Sequence, residues 1–170
     1  MGTCKVRENS PLTKSKVTSE LPNLSEVMKP IGSKGNVLIP KDATILVVED
    51  NVINFVLIAR LLGYMGIHCE WKTSGYEVVE FADSLPRVDL ILMDIRLPYE
   101  DGYYALRKIR SSARLRETPV IAITAEASGE QMKLAREAGF NGFLGKPINP
   151  NKFPEQIIKS LTGAQIWELE

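Results

Sequence analysis

The sequence predicts an α/β domain: a parallel sheet with helices on both faces. Three observations carry that expectation. Short β-branched and apolar runs alternate five times with helix-periodic stretches over about 120 of the 170 residues, through connections short enough for strand–helix–strand crossovers. One of these runs, Val88–Met93, is almost unbroken in apolar character, as suits a strand buried on both faces of a parallel sheet. Finally, Glu49, Asp50, Asp94, Thr124 and Lys146 fall where runs end, the edge at which open α/β sheets bind ligands.

In order, residues 1–41 lack sustained periodicity and are broken by Pro11, Pro22, Pro30 and Pro40, so they read as a flexible or loosely docked leader. Within it, Leu21–Met28 could form a turn or two of helix and Asn36–Ile39 a short extended piece. From Ala43 the texture changes. Thr44–Val48 reads as a buried strand. Val52, Phe55, Val56, Ala59, Leu62 and Met65 recur at helical spacing, and the helix ends near Gly63–Gly66. Ile67–Trp71 is a second strand. Ser74 followed by Glu77 predicts a capping box for a helix over Tyr76–Ser84. Then come the Val88–Asp94 strand, a helix over Gly102–Ser112, a strand over Pro119–Thr124, a helix over Ser128–Ala138 stopped by Gly139, a short strand over Phe140–Leu144, and a helix over about Asn151–Leu161. The domain is therefore expected over 42–163, with 164–170 as a tail. There is no internal repeat.

Hydrophobic content of 44% and charged content of 25% are ordinary for a soluble domain. Net charge is zero, so no global electrostatic pull towards nucleic acid or an anionic membrane is expected. The charge is uneven: residues 1–40 hold six Lys/Arg and three Glu, net +3, which leaves the remainder at −3. No apolar run is long enough to span a bilayer, and no signal-peptide pattern opens the chain. The start Met1-Gly2-Thr3-Cys4 approaches an acylation motif, but Val6 stands where that motif needs Ser or Thr. Cys4 and Cys69 have neither disulfide nor zinc spacing, which suits a reducing, cytoplasmic setting.

The chemistry gathers at the strand ends. An ionised Asp94 closing an apolar run needs a partner charge, a metal or hydrogen bonds, although alone it could simply cap the next helix. With Glu49 and Asp50 on the same edge, three carboxylates would repel unless a cation joined them, and an all-oxygen set suits Mg²⁺. Lys146 would neutralise an anion there and the Thr124 hydroxyl would bond one of its oxygens. The five together fit a phosphoryl group carried on an aspartate.

The pieces Val47-Val48-Glu49-Asp50-Asn51, Met93-Asp94-Ile95-Arg96-Leu97-Pro98 with Asp101-Gly102, Pro119–Ala125, and Gly145-Lys146-Pro147 together resemble the receiver domain of bacterial-type two-component response regulators. The resemblance implies a flavodoxin-like, CheY-like (βα)5 sheet of five strands in the order 2-1-3-4-5. It implies that Asp94 accepts a phosphoryl group from a histidine kinase or histidine phosphotransfer protein. Asp50, Asp94 and the backbone carbonyl of Arg96 would hold Mg²⁺, with Glu49 acting through water. Thr124 and Lys146 would contact the phosphoryl oxygens, Pro147 would follow a cis bond, and Phe143 would report phosphorylation on the face formed by helix four, strand five and helix five. Core packing is the alternative for Phe143. Lys72 stands where the family commonly has a small residue.

Arg96 and Glu126 occupy the places that, by the same resemblance, line the phosphoryl site and tune hydrolysis. Their opposite charges suggest a pair roofing the site; the alternative is two solvated side chains. His68 and Cys69 read as strand residues, Trp71 and Trp167 have no aromatic ladder for base stacking, and the five basic residues in Arg107–Arg116 read as a solvated face. The expected function is a phosphoacceptor switch, not a multi-turnover enzyme, that binds a protein partner; homodimerisation is left open. Alternatives are the receiver fragment of a hybrid histidine kinase, which Glu49–Asn54 also resembles, and an adaptor independent of phosphorylation. A metal-dependent phosphatase fits poorly, because Arg96 stands where it would want a second acid.

Overall fold

The computed structural model describes residues 42–169; the expected leader, with its two short elements, lies outside them. The described chain forms β1 (Thr44–Val48), α1 (Val52–Tyr64), β2 (His68–Lys72), α2 (Val78–Asp83), β3 (Leu90–Asp94), α3 (Gly102–Ser111), β4 (Val120–Thr124), α4 (Gly129–Ala138), β5 (Gly142–Gly145), α5 (Phe153–Leu161) and β6 (Ile166–Glu168). The strands make one sheet, β2-β1-β3-β4-β5-β6, parallel at every pairing.

Alternate strand residues feed two cores, as the two-residue period of a strand requires. Ile45, Val47, Leu90, Leu92, Ile121 and Ile123 pack with Phe55, Ile58, Leu61 and Leu62 of α1 and Phe153 and Ile157 of α5. Leu46, Val48, Ile91, Met93, Val120, Ala122 and Phe143 face Val78 and Ala82 of α2, Leu106 and Ile109 of α3, and Ala135 of α4. All five residues of β3 are buried. Each fully buried Leu or Ile contributes roughly 1.5–3 kcal/mol by leaving water, so β3 and the equally buried β4 are costly to disturb. From β1 the chain crosses to β2 on one side, and the sheet then continues to β3 on the other. That reversal opens a crevice beyond the C-terminal ends of β1 and β3.

Helix ends follow the local chemistry. Asn51 Oδ1 accepts from the amides of Ile53 and Asn54 at 2.9 and 3.3 Å, Asp101 caps α3 through Tyr104 N–H, and Ser128 caps α4 through Gln131 N–H. Gly139 ends α4 at φ 99°.

Four sequence expectations need correction. The Ser74–Glu77 capping box does not form: α2 begins at Val78, with Glu77 left-handed at φ 51° and no side-chain cap. Gly75 is wedged there, its Cβ position 3.1 Å from both Ala105 Cβ and the Glu100 carbonyl oxygen, and the chain turns before it coils. The fifth strand starts at Gly142 instead of Phe140, because Asn141 is used otherwise: its Oδ1 accepts from Val120 N–H and from Arg110. The basic stretch is not simply a solvated face. Arg110 also reaches the carbonyls of Arg116, Thr118 and Gly139, and Arg114 those of Ala82 and Leu85. Lastly, the first five strands keep the order 2-1-3-4-5, but residues expected as a tail add a sixth, β6, beside β5.

Candidate functional site

The site begins with the strand ends. Asp94 is the last residue of β3 and Glu49 follows β1, and the β1–β3 register sets Val48 beside Met93, so the two carboxylates rise from adjacent strands. Asp50 comes next on the β1 side. Carboxylate oxygens of Glu49, Asp50 and Asp94 all lie within 4.8 Å of one another. Glu49 is 1% exposed and Asp94 6%, whereas Asp50 is exposed. Lys146, just past β5, reaches across with Nζ 2.5 Å from Asp94 Oδ2 and 2.6 Å from Glu49 Oε2.

Asp94, Glu49, Lys146 and Thr124 are fixed from behind. Arg96 N–H donates to Asp94 Oδ1 at 2.8 Å, so both oxygens of Asp94 have partners. Glu49 Oε1 accepts from Asn51 N–H at 3.2 Å and from Asn54 Nδ2 at 3.1 Å. The Glu49 backbone is clamped twice: its N–H donates to the Lys72 carbonyl at 3.0 Å, and its carbonyl accepts from Trp71 Nε1 at 2.8 Å. Trp71 is itself stacked on Phe55, centroids 4.3 Å apart. Lys146 N–H donates to the Thr124 carbonyl and precedes a cis bond to Pro147. The Thr124 hydroxyl accepts from Glu126 N–H at 3.1 Å, and the side chain is buried.

Gly102 explains why the loop after β3 closes so tightly. A Cβ there would stand 2.5 Å from the Asp94 carbonyl oxygen and 2.9 Å from Ile95 Cα, and its N–H bonds the Ile95 carbonyl at 2.8 Å.

Electrostatically the site is short of positive charge. Burial pushes the Asp94 carboxyl above its ordinary range, more than its hydrogen bonds from Lys146 and Arg96 N–H pull it down. Burial alone would lower Lys146, yet its contacts with Asp94 and Glu49 prevail and hold it above its usual value. Three carboxylates around one ammonium leave room for a cation. Oxygen-only donors of this charge fit a hard divalent ion such as Mg²⁺.

The structure therefore brings Glu49, Asp50, Asp94 and Lys146 together, with Thr124 on the adjoining β4 end. Arg96 and Glu126 form an ion pair between side chains that are 71% and 51% exposed. Phe143 is fully buried on β5, among the side chains facing α3 and α4. Sequence reading missed two supports. Asn54 lies in the quoted Glu49–Asn54 stretch but had no assigned task, and Trp71 requires the β1–β2 register, Val47 opposite Trp71, to be seen beneath Glu49. No helix among the described residues is long and apolar enough to cross a membrane.

Known proteins resemble this chain in sequence and fold. A family model described as the response regulator receiver domain matches residues 45–158. The polar-differentiation response regulator DivK of Brucella anthropi is 35% identical over 120 residues, covering 71% of this chain and 96% of that protein. The signal transduction histidine-protein kinase BarA of Shigella flexneri is 36% identical over 172 residues, covering 98% of this chain but only 18% of the kinase; the chain thus spans a small part of that relative. Among solved structures, the receiver domain of sensor histidine kinase PA1611 from Pseudomonas aeruginosa superposes with a TM-score of 0.64 at 36% identity, covering 72% of this chain and 99% of that one, and is described with a magnesium ion coordinated in its active-site cleft. By fold, site geometry and sequence, this chain belongs to the response regulator receiver domain family of two-component signalling.

Proposed function

We propose that this receiver domain accepts a phosphoryl group on Asp94 from a phosphohistidine of a histidine kinase or histidine phosphotransfer protein. The observation that carries this reading is a buried nucleophile between two cation positions: Asp94, with Lys146 at 2.5 Å on one oxygen and the acidic pair within 4.8 Å. In the transfer, an Asp94 carboxylate oxygen forms the new P–O bond while the P–N bond of the donor breaks, its electron pair returning to the imidazole. Lys146 neutralises charge on the transferred oxygens. Arg96 N–H, already on Oδ1, fixes the plane of the attacking carboxylate. Bound Mg²⁺, held by Asp50, Asp94 and the Arg96 carbonyl with Glu49 acting through water, would supply further charge neutralisation.

The protein works as a switch that is phosphorylated once per signal, not as a multi-turnover enzyme, in a cytoplasmic setting. Thr124 and Phe143 are the movable parts that pass the event to a protein partner. Peptide mapping after treatment with Mg²⁺ and a small phosphodonor tests the assignment. The phosphoryl group is expected on the peptide containing Asp94; its appearance on another peptide alone would refute it.

A second reading has its own support. The similarity to BarA runs over 98% of this chain, which favours a receiver segment of a hybrid histidine kinase, loaded from a phosphohistidine of the same protein.

A further inference from the structure

The acidic crevice depends on one peptide unit. β1 ends at Val48, and Glu49 and Asp50 stand on the loop that follows. The Glu49 carboxylate is held at both oxygens, by Asn51 N–H and Asn54 Nδ2 on one and by Lys146 on the other. Asp50 is exposed, and no group among the described residues hydrogen-bonds its carboxylate. Its direction therefore follows from its backbone. A peptide unit is planar, so the Glu49 carbonyl and the Asp50 N–H turn together. Whatever holds that carbonyl aims Asp50.

The holder is Trp71. Its Nε1–H donates to the Glu49 carbonyl at 2.8 Å. The carbonyl of the next residue, Lys72, accepts from Glu49 N–H at 3.0 Å, so two successive residues of β2 grip both ends of one residue beyond β1. The indole lies nearly parallel to the Phe55 ring, with centroids 4.3 Å and planes 4° apart. Phe55 is buried on α1, the helix that Asn51 caps. Core filling accounts for the stacked rings, and any nearby acceptor would satisfy the indole N–H. The acceptor taken is the peptide that carries Asp50.

We propose that Trp71 is a positioning residue for the cation: its N–H on the Glu49 carbonyl orients the Glu49–Asp50 peptide and so sets the affinity of the acidic set for a divalent ion. This role rests on the phosphoacceptor reading and deepens it, placing a control of metal affinity on β2, outside the three carboxylates. The stack on Phe55 makes that control depend on α1 as well. Three supports thus converge on a single carbonyl: the β1–β2 register that sets Val47 beside Trp71, the aromatic stack and the donor N–H.

The test uses Mg²⁺ alone as the probe, in calorimetric titration of the full chain. Trp71→Phe keeps a ring against Phe55 and removes the donor. Its Kd for Mg²⁺ is expected to rise about three- to tenfold, the worth of one net hydrogen bond. Ile109→Val trims the core on the opposite face of the sheet and leaves the Glu49 contacts alone, so its Kd should match that of the natural chain. Equal Kd values for Trp71→Phe and the natural chain, or an equal rise in Ile109→Val, would overturn the proposal. Benzothienylalanine placed at position 71 alone keeps both rings and puts sulfur in place of the N–H, so the outcome does not hang on the Phe variant folding. The same rise is expected, and an unchanged Kd would overturn the proposal. Phosphoryl uptake from acetyl phosphate gives an independent split. In Trp71→Phe it should be slow at low Mg²⁺ and return to within about twofold of the natural rate at saturating Mg²⁺. A loss that saturating Mg²⁺ does not restore would mean damage beyond cation affinity and overturn the assigned role. A natural chain that binds Mg²⁺ but gains no phosphoryl group refutes the phosphoacceptor reading and leaves Trp71 to be decided by the titration. A natural chain that binds no Mg²⁺ refutes the role of Trp71 together with the metal site.

Discussion

Lys146 Nζ stands 2.5 Å from Asp94 Oδ2, joining two residues 52 positions apart in sequence. The contact exists because β3 and β5 flank β4 in register and deliver their ends to one crevice. The same ammonium lies 2.6 Å from Glu49, so one cation faces two largely buried carboxylates. Lys146→Met removes it and leaves those charges uncompensated. Breaking a buried pair from one side costs about 3–5 kcal/mol, and the lower end is expected here because the crevice opens to water. Urea unfolding in the presence of a chelator measures it; an unchanged midpoint would show that the contact adds nothing to stability.

Asp94→Asn should act in the opposite direction. The folded chain binds the Asp94 proton more tightly than the unfolded chain does, since burial raises the carboxyl above its usual 3.8. That stabilisation is complete below about 3.8 and is lost as pH rises through the folded pKa, so at neutral pH the ionised group is a cost. Without metal, the Asn variant is expected to melt no lower than the natural chain at pH 7, and the difference is expected to shrink in acid. A clear loss of stability at pH 7 would contradict this.

Gly102→Ala places a methyl group 2.5 Å from the Asp94 carbonyl oxygen. Backbone on both sides leaves it no easy way out, and overpacking of this kind costs about 1–3 kcal/mol. Thermal melting should show that loss, and phosphoryl uptake should slow with it because the carbonyl displaced belongs to the acceptor residue.

Arg96→Ala separates roofing from stability. The Arg96–Glu126 pair is exposed on both sides, so its loss should change stability by less than about 1 kcal/mol. If the pair hinders water, the aspartyl phosphate should hydrolyse faster in the variant. An unchanged lifetime would reduce the pair to two solvated charges.

Most of the sheet was legible because β1, β3 and β4 carry short apolar runs, alternating with helical stretches, that suit a doubly covered parallel sheet. The polar residues closing those runs marked the crevice. Weaker signals failed where the deciding contact was distant. Glu77 met the capping-box pattern, yet packing of Gly75 against Ala105 and Glu100 set where α2 begins. Ile166–Glu168 is too short to declare itself a strand, and its partner is betrayed only by the glycines of β5. Trp71 gave no hint of Glu49, because their link depends on the β1–β2 register. The Arg96–Glu126 contact followed from opposite charges on neighbouring loops, whereas the wide reach of Arg110 did not.

The most direct measurement is the intact mass of the purified protein after incubation with Mg²⁺ and acetyl phosphate, beside Asp94→Asn and a chelated control. One phosphoryl group is expected on the natural chain, and none on the variant or without the metal. Uptake that persists in Asp94→Asn, or no uptake by a folded natural chain that a cognate kinase also fails to phosphorylate, would contradict the account.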